Sequence, residues 1–306
     1  MISSPARIHR LREWIENHLG TTMAIGAAFG LLVPGWSAVP SGVVVALLGL
    51  IIYLACFRIG VLSIRTFSLP RIAVFFLLRF VALPIVVFFV AQALSPKYVL
   101  PLVVLTAMPA GVAAAAFTSF LGGTVSLAFI LVVLTNLSTP ILVPLVMRLT
   151  AGTVIYLDTL SIFCTLALAI FVPMASYGLT RNIRSVKVQV ERFGRSATVV
   201  VVALIIMLVV GARREFFLEH PGDLPELLLV SSLGFVILFL SGWYLNPAGS
   251  REDRIACTIS SGCNNVALGV SIAVMYFPPE VGLFLIISEI PWMLGPVVLK
   301  RVLGRT

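Results

Sequence analysis

The sequence predicts an all-α membrane protein with ten transmembrane helices arranged as two inverted five-helix repeats. Three observations carry that prediction. The 306-residue chain is 60% hydrophobic and 11% charged, with a mean hydropathy of +1.12. A soluble domain carries about 25% charged residues and needs polar groups to cover its surface. Apolar runs of about 20 residues, the length that crosses a bilayer, recur along nearly the whole chain. The loops between them alternate between rich and poor in basic residues.

Residues 1–18 lack the apolar core of a cleaved leader, so no cleavage is expected. Ile8, Leu11, Ile15 and Leu19 recur at helical spacing among Arg7, Arg10 and Arg12, which predicts a short amphipathic helix on the membrane surface. Helices are then predicted at about 19–35, 39–57, 70–94, 98–121, 124–148, 154–179, 196–212, 225–245, 253–277 and 280–300. The first is only roughly 25 Å long and needs a thinned bilayer or protein neighbours.

Sixteen Lys and Arg residues fall in loops on one side, four fall on the other, and Arg79 lies inside a helix. The positive-inside rule puts both termini in the cytoplasm, which agrees with an even helix count. The longest polar stretch, 180–195, is read as the linker dividing two five-helix halves. By residue number, 19–179 holds helices 1–5 plus helix 6, and 196–306 holds helices 7–10. Five is odd, so the halves have opposite orientations. MPAGVAAAAF (108–117) corresponds to ISSGCNNVAL (259–268), with Gly111 matched to Gly262, and TNLSTPILVPLVMRL (135–149) corresponds to ISEIPWMLGPVVLKRV (287–302). Inverted repeats with interrupted helices at matching positions mark secondary transporters.

The net charge of +9 lies in short loops rather than in a stripe, so no nucleic-acid partner is expected. Cys56, Cys164, Cys257 and Cys263 have no metal spacing and read as small core residues. His9, His18 and His220 lie outside the spans, and no metal or cofactor is expected.

Pro109–Ala110–Gly111 interrupts the fourth helix, and Ser261–Gly262 interrupts the ninth. An interruption frees backbone groups at membrane depth, which only protein or a water-filled cavity can satisfy. The half-helix ends then offer partial charges and carbonyl ligands. Ser260, Asn264 and Asn265 add polar side chains, so this stretch reads as a binding element near the midplane. The alternative is that the asparagines only hydrogen-bond neighbouring helices.

MPAG followed by GGTVSLA, LTNLSTPILVPL and SGCNNVALGVSIA together resemble the bile acid:sodium symporter family, whose relatives include arsenite and pantoate-type carriers. The resemblance covers nearly the whole chain and implies a bacterial inner (plasma) membrane protein. It also implies a core domain of helices 3–5 and 8–10 that moves against a panel domain of helices 1, 2, 6 and 7, with broken helices 4 and 9 crossing in the core. The departures are specific. Where sodium-coupled members carry a Ser-Asn pair, this chain has Ala114 and Ala115. Where they carry serine and threonine ligands, it has Ala128 and Val132. The family's ninth-helix glutamate is missing; the stretch here carries Ser260, Gly262, Asn264 and Asn265. The resemblance therefore implies that the first sodium site is absent.

Arg79 stands near a glutamine that ligates the second sodium in the resembling members. It lies roughly 13 Å along the helix from Arg71. A membrane arginine is costly and must find partners. Either its guanidinium takes the sodium position and binds carbonyls of the broken ninth helix, or it snorkels to the surface. Glu289, the other ionisable residue well inside a span, is its expected partner in a static pair, or else a carboxylate that exchanges protons. The leading function is a secondary carrier for a small or amphipathic organic anion in the lipid bilayer, working by alternating access with weak or absent sodium coupling. A non-transporting sensor or scaffold is the alternative. An intramembrane enzyme is disfavoured because the spans hold no histidine and effectively one carboxylate at depth.

Overall fold

The computed structural model describes residues 10, 12–15, 18–36, 41–58, 68–111, 113–153, 158–212, 214–219, 221–246 and 248–303. Most of the expected amphipathic N-terminal helix lies outside them, although Arg12–Ile15 are helical. The described residues are helical almost throughout. The elements are α1 (Leu19–Leu32), α2 (Ser41–Arg58), α3 (Leu69–Leu77), a π-turn (Leu78–Ala82), α4 (Leu83–Leu94), α5 (Val99–Ala107), α6 (Ala114–Phe120), α7 (Val125–Leu149), α8 (Thr159–Thr180), α9 (Arg184–Ala212), α10 (Arg214–Glu219), α11 (Leu224–Tyr244), α12 (Arg251–Gly262), α13 (Val266–Tyr276) and α14 (Pro279–Leu303). Among the described residues, six stretches are long and apolar enough to cross a membrane: Leu69–Leu94, Val125–Leu149, Thr159–Thr180, Arg184–Ala212, Leu224–Tyr244 and Pro279–Leu303. Shorter apolar helices cover Thr21–Leu32, Gly42–Leu54, Pro96–Ala107 and Val266–Tyr276.

One expectation is corrected. The polar stretch 180–195 is not a separate linker, because α9 begins at Arg184 and runs unbroken to Ala212. Val186, Val190, Phe193 and Gly194 are buried or half-buried at helical spacing, while the charged residues between them are exposed. A one-sided apolar row is enough to sustain a helix whose other side is solvated. Six predicted spans precede this stretch, so it cannot separate five helices from five.

The chain forms two compact units. Residues Met1–Val61 and Leu168–Pro221 make the first, and Leu62–Ala167 and Gly222–Thr306 make the second. In the first unit α9 packs on α1 and α2. Gly26 and Gly30 of α1 lie against the backbone of Ala203 and Met207, the close approach that small residues four apart permit between membrane helices. Tyr53 Oη and Thr180 Oγ1 are 2.8 Å apart, and Arg214 Nε donates to Leu31 O at 2.7 Å.

The second unit is built on α11, which packs against α12 and α14, and on α5, which packs against α4 and α14. Leu105, Met108, Leu131, Met147, Phe235, Leu238 and Phe284 fill its interior. The π-turn has a covalent cause. Pro84 lacks an N–H and crowds the carbonyl four residues back. The ladder therefore shifts to a wider step, with Leu83 N donating to Leu78 O. Such a turn often marks a functional position, and here it carries Arg79.

Candidate functional site

The two interrupted helices meet through their main chains in the second unit. Met108 is extended, as a residue before proline is pushed to be, and α5 stops at Ala107. α12 stops at Gly262, and α13 restarts after Asn265. Ala110 and Asn264 then pair as a single antiparallel bridge. Gly111 N donates to Cys263 O and Asn265 N donates to Pro109 O, each at 2.7 Å. A side chain at position 111 would place its Cβ 2.8 Å from Cys263 O and 3.0 Å from Asn264 O, so only glycine allows this approach. At Gly262 a Cβ would overlap the Phe239 ring, which is also pressed against Gly295.

Each interruption leaves carbonyls without their helical donors, and three of them have a specific replacement. Leu105 O would have paired with residue 109, but Pro109 has no N–H; Asn264 Nδ2 donates to it instead at 2.6 Å. Thr106 O would have paired with Ala110 N, but that amide donates to Thr135 Oγ1 at 3.1 Å. Ser261 O would have paired with Asn265 N, which is committed to Pro109 O. Arg79 supplies both missing donors, Nη1 to Thr106 O and Nη2 to Ser261 O, each at 2.8 Å. Its Nε donates to Ser261 Oγ at 2.5 Å, and that hydroxyl donates onward to Leu238 O at 2.6 Å. Ser241 Oγ lies 3.0 Å from Ser261 Oγ.

The electrostatics follow. Thr106 and Ser261 lie in the last turns of α5 and α12, where each helix carries partial negative charge. A single guanidinium joins the two ends. Arg79 is fully buried, so it does not snorkel. The expected ion pair with Glu289 is also absent: Glu289 is half-buried on α14 and makes no hydrogen bond or ion pair among the described residues. The physical reason is that two helix ends and a hydroxyl already satisfy the guanidinium, so it needs no carboxylate.

The other predicted residues are placed as follows. Asn265 caps α13, accepting from Leu268 N at 3.1 Å. Asn264 is buried, and its Oδ1 has no hydrogen-bond partner; the same is true of Ser260 Oγ. Ala114 and Ala128 are fully buried, Val132 is buried, and Ala115 is half-buried. None of these four brings a side-chain oxygen. These four positions do not fit sodium, a hard cation that needs several oxygen ligands, and the carbonyls of Thr106 and Ser261 are already bound to a fixed cation.

Five residues at the crossing were not identified from the sequence as site residues: Thr106, Thr135, Asn136, Ser241 and Trp292. Asn136 Nδ2 donates to Ala110 O at 2.8 Å, and Trp292 Nε1 donates to Asn264 O at 3.0 Å. Thr135 and Asn136 open the TNLSTP motif, so their position beside an interrupted partner was the available signal. Trp292 had none, because an indole in an apolar run reads as core.

A model of the SBF-like CPA transporter family matches residues 47–294. No curated protein matches the chain. The matched region contains both interruptions, Arg79 and Glu289, and it extends over most of the chain's length. The chain is a multi-pass helical membrane protein, and it belongs to the SBF-like CPA transporter family.

Proposed function

We propose that the protein is a secondary carrier for a small or amphipathic organic anion, working by alternating access without a coupling sodium ion. The observation that supports this reading is the Arg79 guanidinium bound to the carbonyl ends of α5 and α12. Half-helix carbonyl ends are the ligands a coupling cation uses in discontinuous-helix transporters. Here a cation tethered to the chain takes them, so none has to be bound and released in each cycle. Arg79 also leaves a permanent positive charge beside the crossing, which favours anionic cargo. Glu289, without a partner in mid-span, is the position at which a proton would couple, since intramembrane carboxylates are retained for function.

The test is flux in liposomes holding the purified protein, with labelled taurocholate and labelled benzoate as large and small amphipathic anions. Uptake or exchange of equal rate in sodium and potassium media is expected, and Glu289→Gln is expected to flatten its pH dependence. Strict sodium dependence would defeat the tethered-cation reading. Flux of neither anion under any gradient would favour the scaffold reading, to which the oxygen-free positions Ala114, Ala115, Ala128 and Val132 lend support.

A further inference from the structure

A cavity of about 190 Å³ lies inside the second unit, between α3, α7 and α12. Three rows of residues relate it to the crossing. Arg71, Phe75 and Arg79 follow at four-residue steps along α3 and the π-turn; Leu127, Leu131 and Thr135 do so along α7; Asp253, Cys257 and Ser261 do so along α12. The first two members of each row line the cavity. The third members are the residues that hold the interrupted helices. Four residues advance a helix by about 6 Å, so the cavity ends one turn short of the guanidinium. The rows on α7 and α12 start level with one another: Thr124 N donates to Glu252 O at 3.0 Å and Thr124 Oγ1 to Asp253 Oδ1 at 2.6 Å.

The chemistry changes along the cavity. At its rim Arg71 is exposed and spends one long bond, 3.5 Å to Ala248 O, out of the five donors of a guanidinium. Ser68, at the start of α3, does not cap that helix with its side chain, so the same end also offers the partial positive charge of a helix N-terminus. Asp253 also lines the cavity, with Oδ1 held by Thr124 Oγ1; its charge opposes any carboxylate beside it, so an anionic end is held by Arg71 alone. The wall beyond is apolar, with Phe75, Leu127 and Leu131 all buried. The volume exceeds the roughly 150 Å³ that accommodates benzene.

We infer that this vestibule is a binding subsite for a small amphipathic monocarboxylate. Its carboxylate rests on Arg71 and its apolar body lies against Phe75, Leu127 and Leu131. The inference rests on the carrier reading and names where cargo waits before the crossing. The charge asymmetry of the loops puts the rim on the cytoplasmic side.

Calorimetric titration of the purified protein tests it, with 3-phenylpropionate, L-phenylalanine and 2-phenylethylamine as probes. The carboxylate is expected to bind saturably, and the amine is not. Arg71→Gln is expected to weaken the carboxylate about ten- to a hundredfold, the range for a hydrogen bond to a charged group. Leu131→Trp, which fills the space, is expected to abolish binding. Leu127→Phe is the second filling variant if Leu131→Trp does not fold. The subsite is overturned if folded wild type fails to bind the carboxylate. It is also overturned if Arg71→Gln and a filling variant bind it unchanged, or if the amine or the amino acid binds as tightly. Liposome flux is a separate readout. Binding without flux defeats the carrier reading and leaves the subsite intact, whereas flux without binding defeats the subsite alone.

Discussion

Replacing Arg79 with methionine keeps an unbranched apolar stem and removes every donor. Thr106 O and Ser261 O then have no partner, because the amides that would have reached them are bound to Thr135 and to Pro109 O. Ser261 Oγ keeps its bond to Leu238 O and loses less. A stranded buried acceptor costs about 1–3 kcal/mol, so the two carbonyls together cost about 2–6 kcal/mol. Relief from burying a cation offsets part of this. At about 2 °C per kcal/mol for a chain of this size, the melting temperature is expected to fall by about 4–12 °C. The assay is thermal unfolding of detergent-purified protein, run in sodium chloride and in potassium chloride at equal ionic strength. Wild type is expected to melt at the same temperature in both salts. A sodium site occupied a hundredfold above its dissociation constant would add about 2.7 kcal/mol, a shift the assay resolves. A sodium-specific rise in the wild type, or an Arg79→Met variant as stable as the wild type, would refute the reasoning.

Gly111→Ala drives a methyl against Cys263 O and Asn264 O; it is expected to abolish flux and lower the melting temperature. Gly178→Ala, with open space around the added atom, is expected to leave both unchanged. Asp158 caps α8, accepting from Ser161 N at 3.1 Å and Ser161 Oγ at 2.5 Å. The Ser161 side-chain bond, followed by its backbone bond, holds the carboxyl below the usual aspartate value. A depressed folded value means that the stabilisation is full above the unfolded value and is lost as pH falls through the folded one. Melting curves taken down through the acid range are expected to show a slightly smaller loss in Asp158→Asn than in the wild type, because Glu226 and Glu252 are also held below the usual glutamate value and lose their share in both proteins.

The first interruption was legible in the sequence at Pro109, which removes a donor; the second was legible only approximately, because Ser261 and Gly262 are the last helical residues of α12 and the break itself falls at Cys263–Asn265. Arg79 was legible as a site residue because a charge in an apolar run must be paid for by partners. Its partners were only half legible. The carbonyl of Ser261 followed from the broken ninth helix, whereas Thr106 O became available only because Ala110 N turns to Thr135, a long-range fact. The expected Arg79–Glu289 pair failed for the same reason: a sequence shows which side chains carry charge, but not which backbone carbonyls are left unpaired. The start of α9 was misread because polar residues outnumber apolar ones there. The spacing of Val186, Val190 and Phe193 was the better guide.

The two interruptions are fastened to each other as well as to Arg79. Pulling them apart would strip Gly111 N and Asn265 N of their acceptors in a place that water does not reach, at about 1–3 kcal/mol each. The breaks therefore behave as a rivet rather than as two hinges. Any motion in this unit would have to carry both half-helix pairs together as one block, with flexing at its edges.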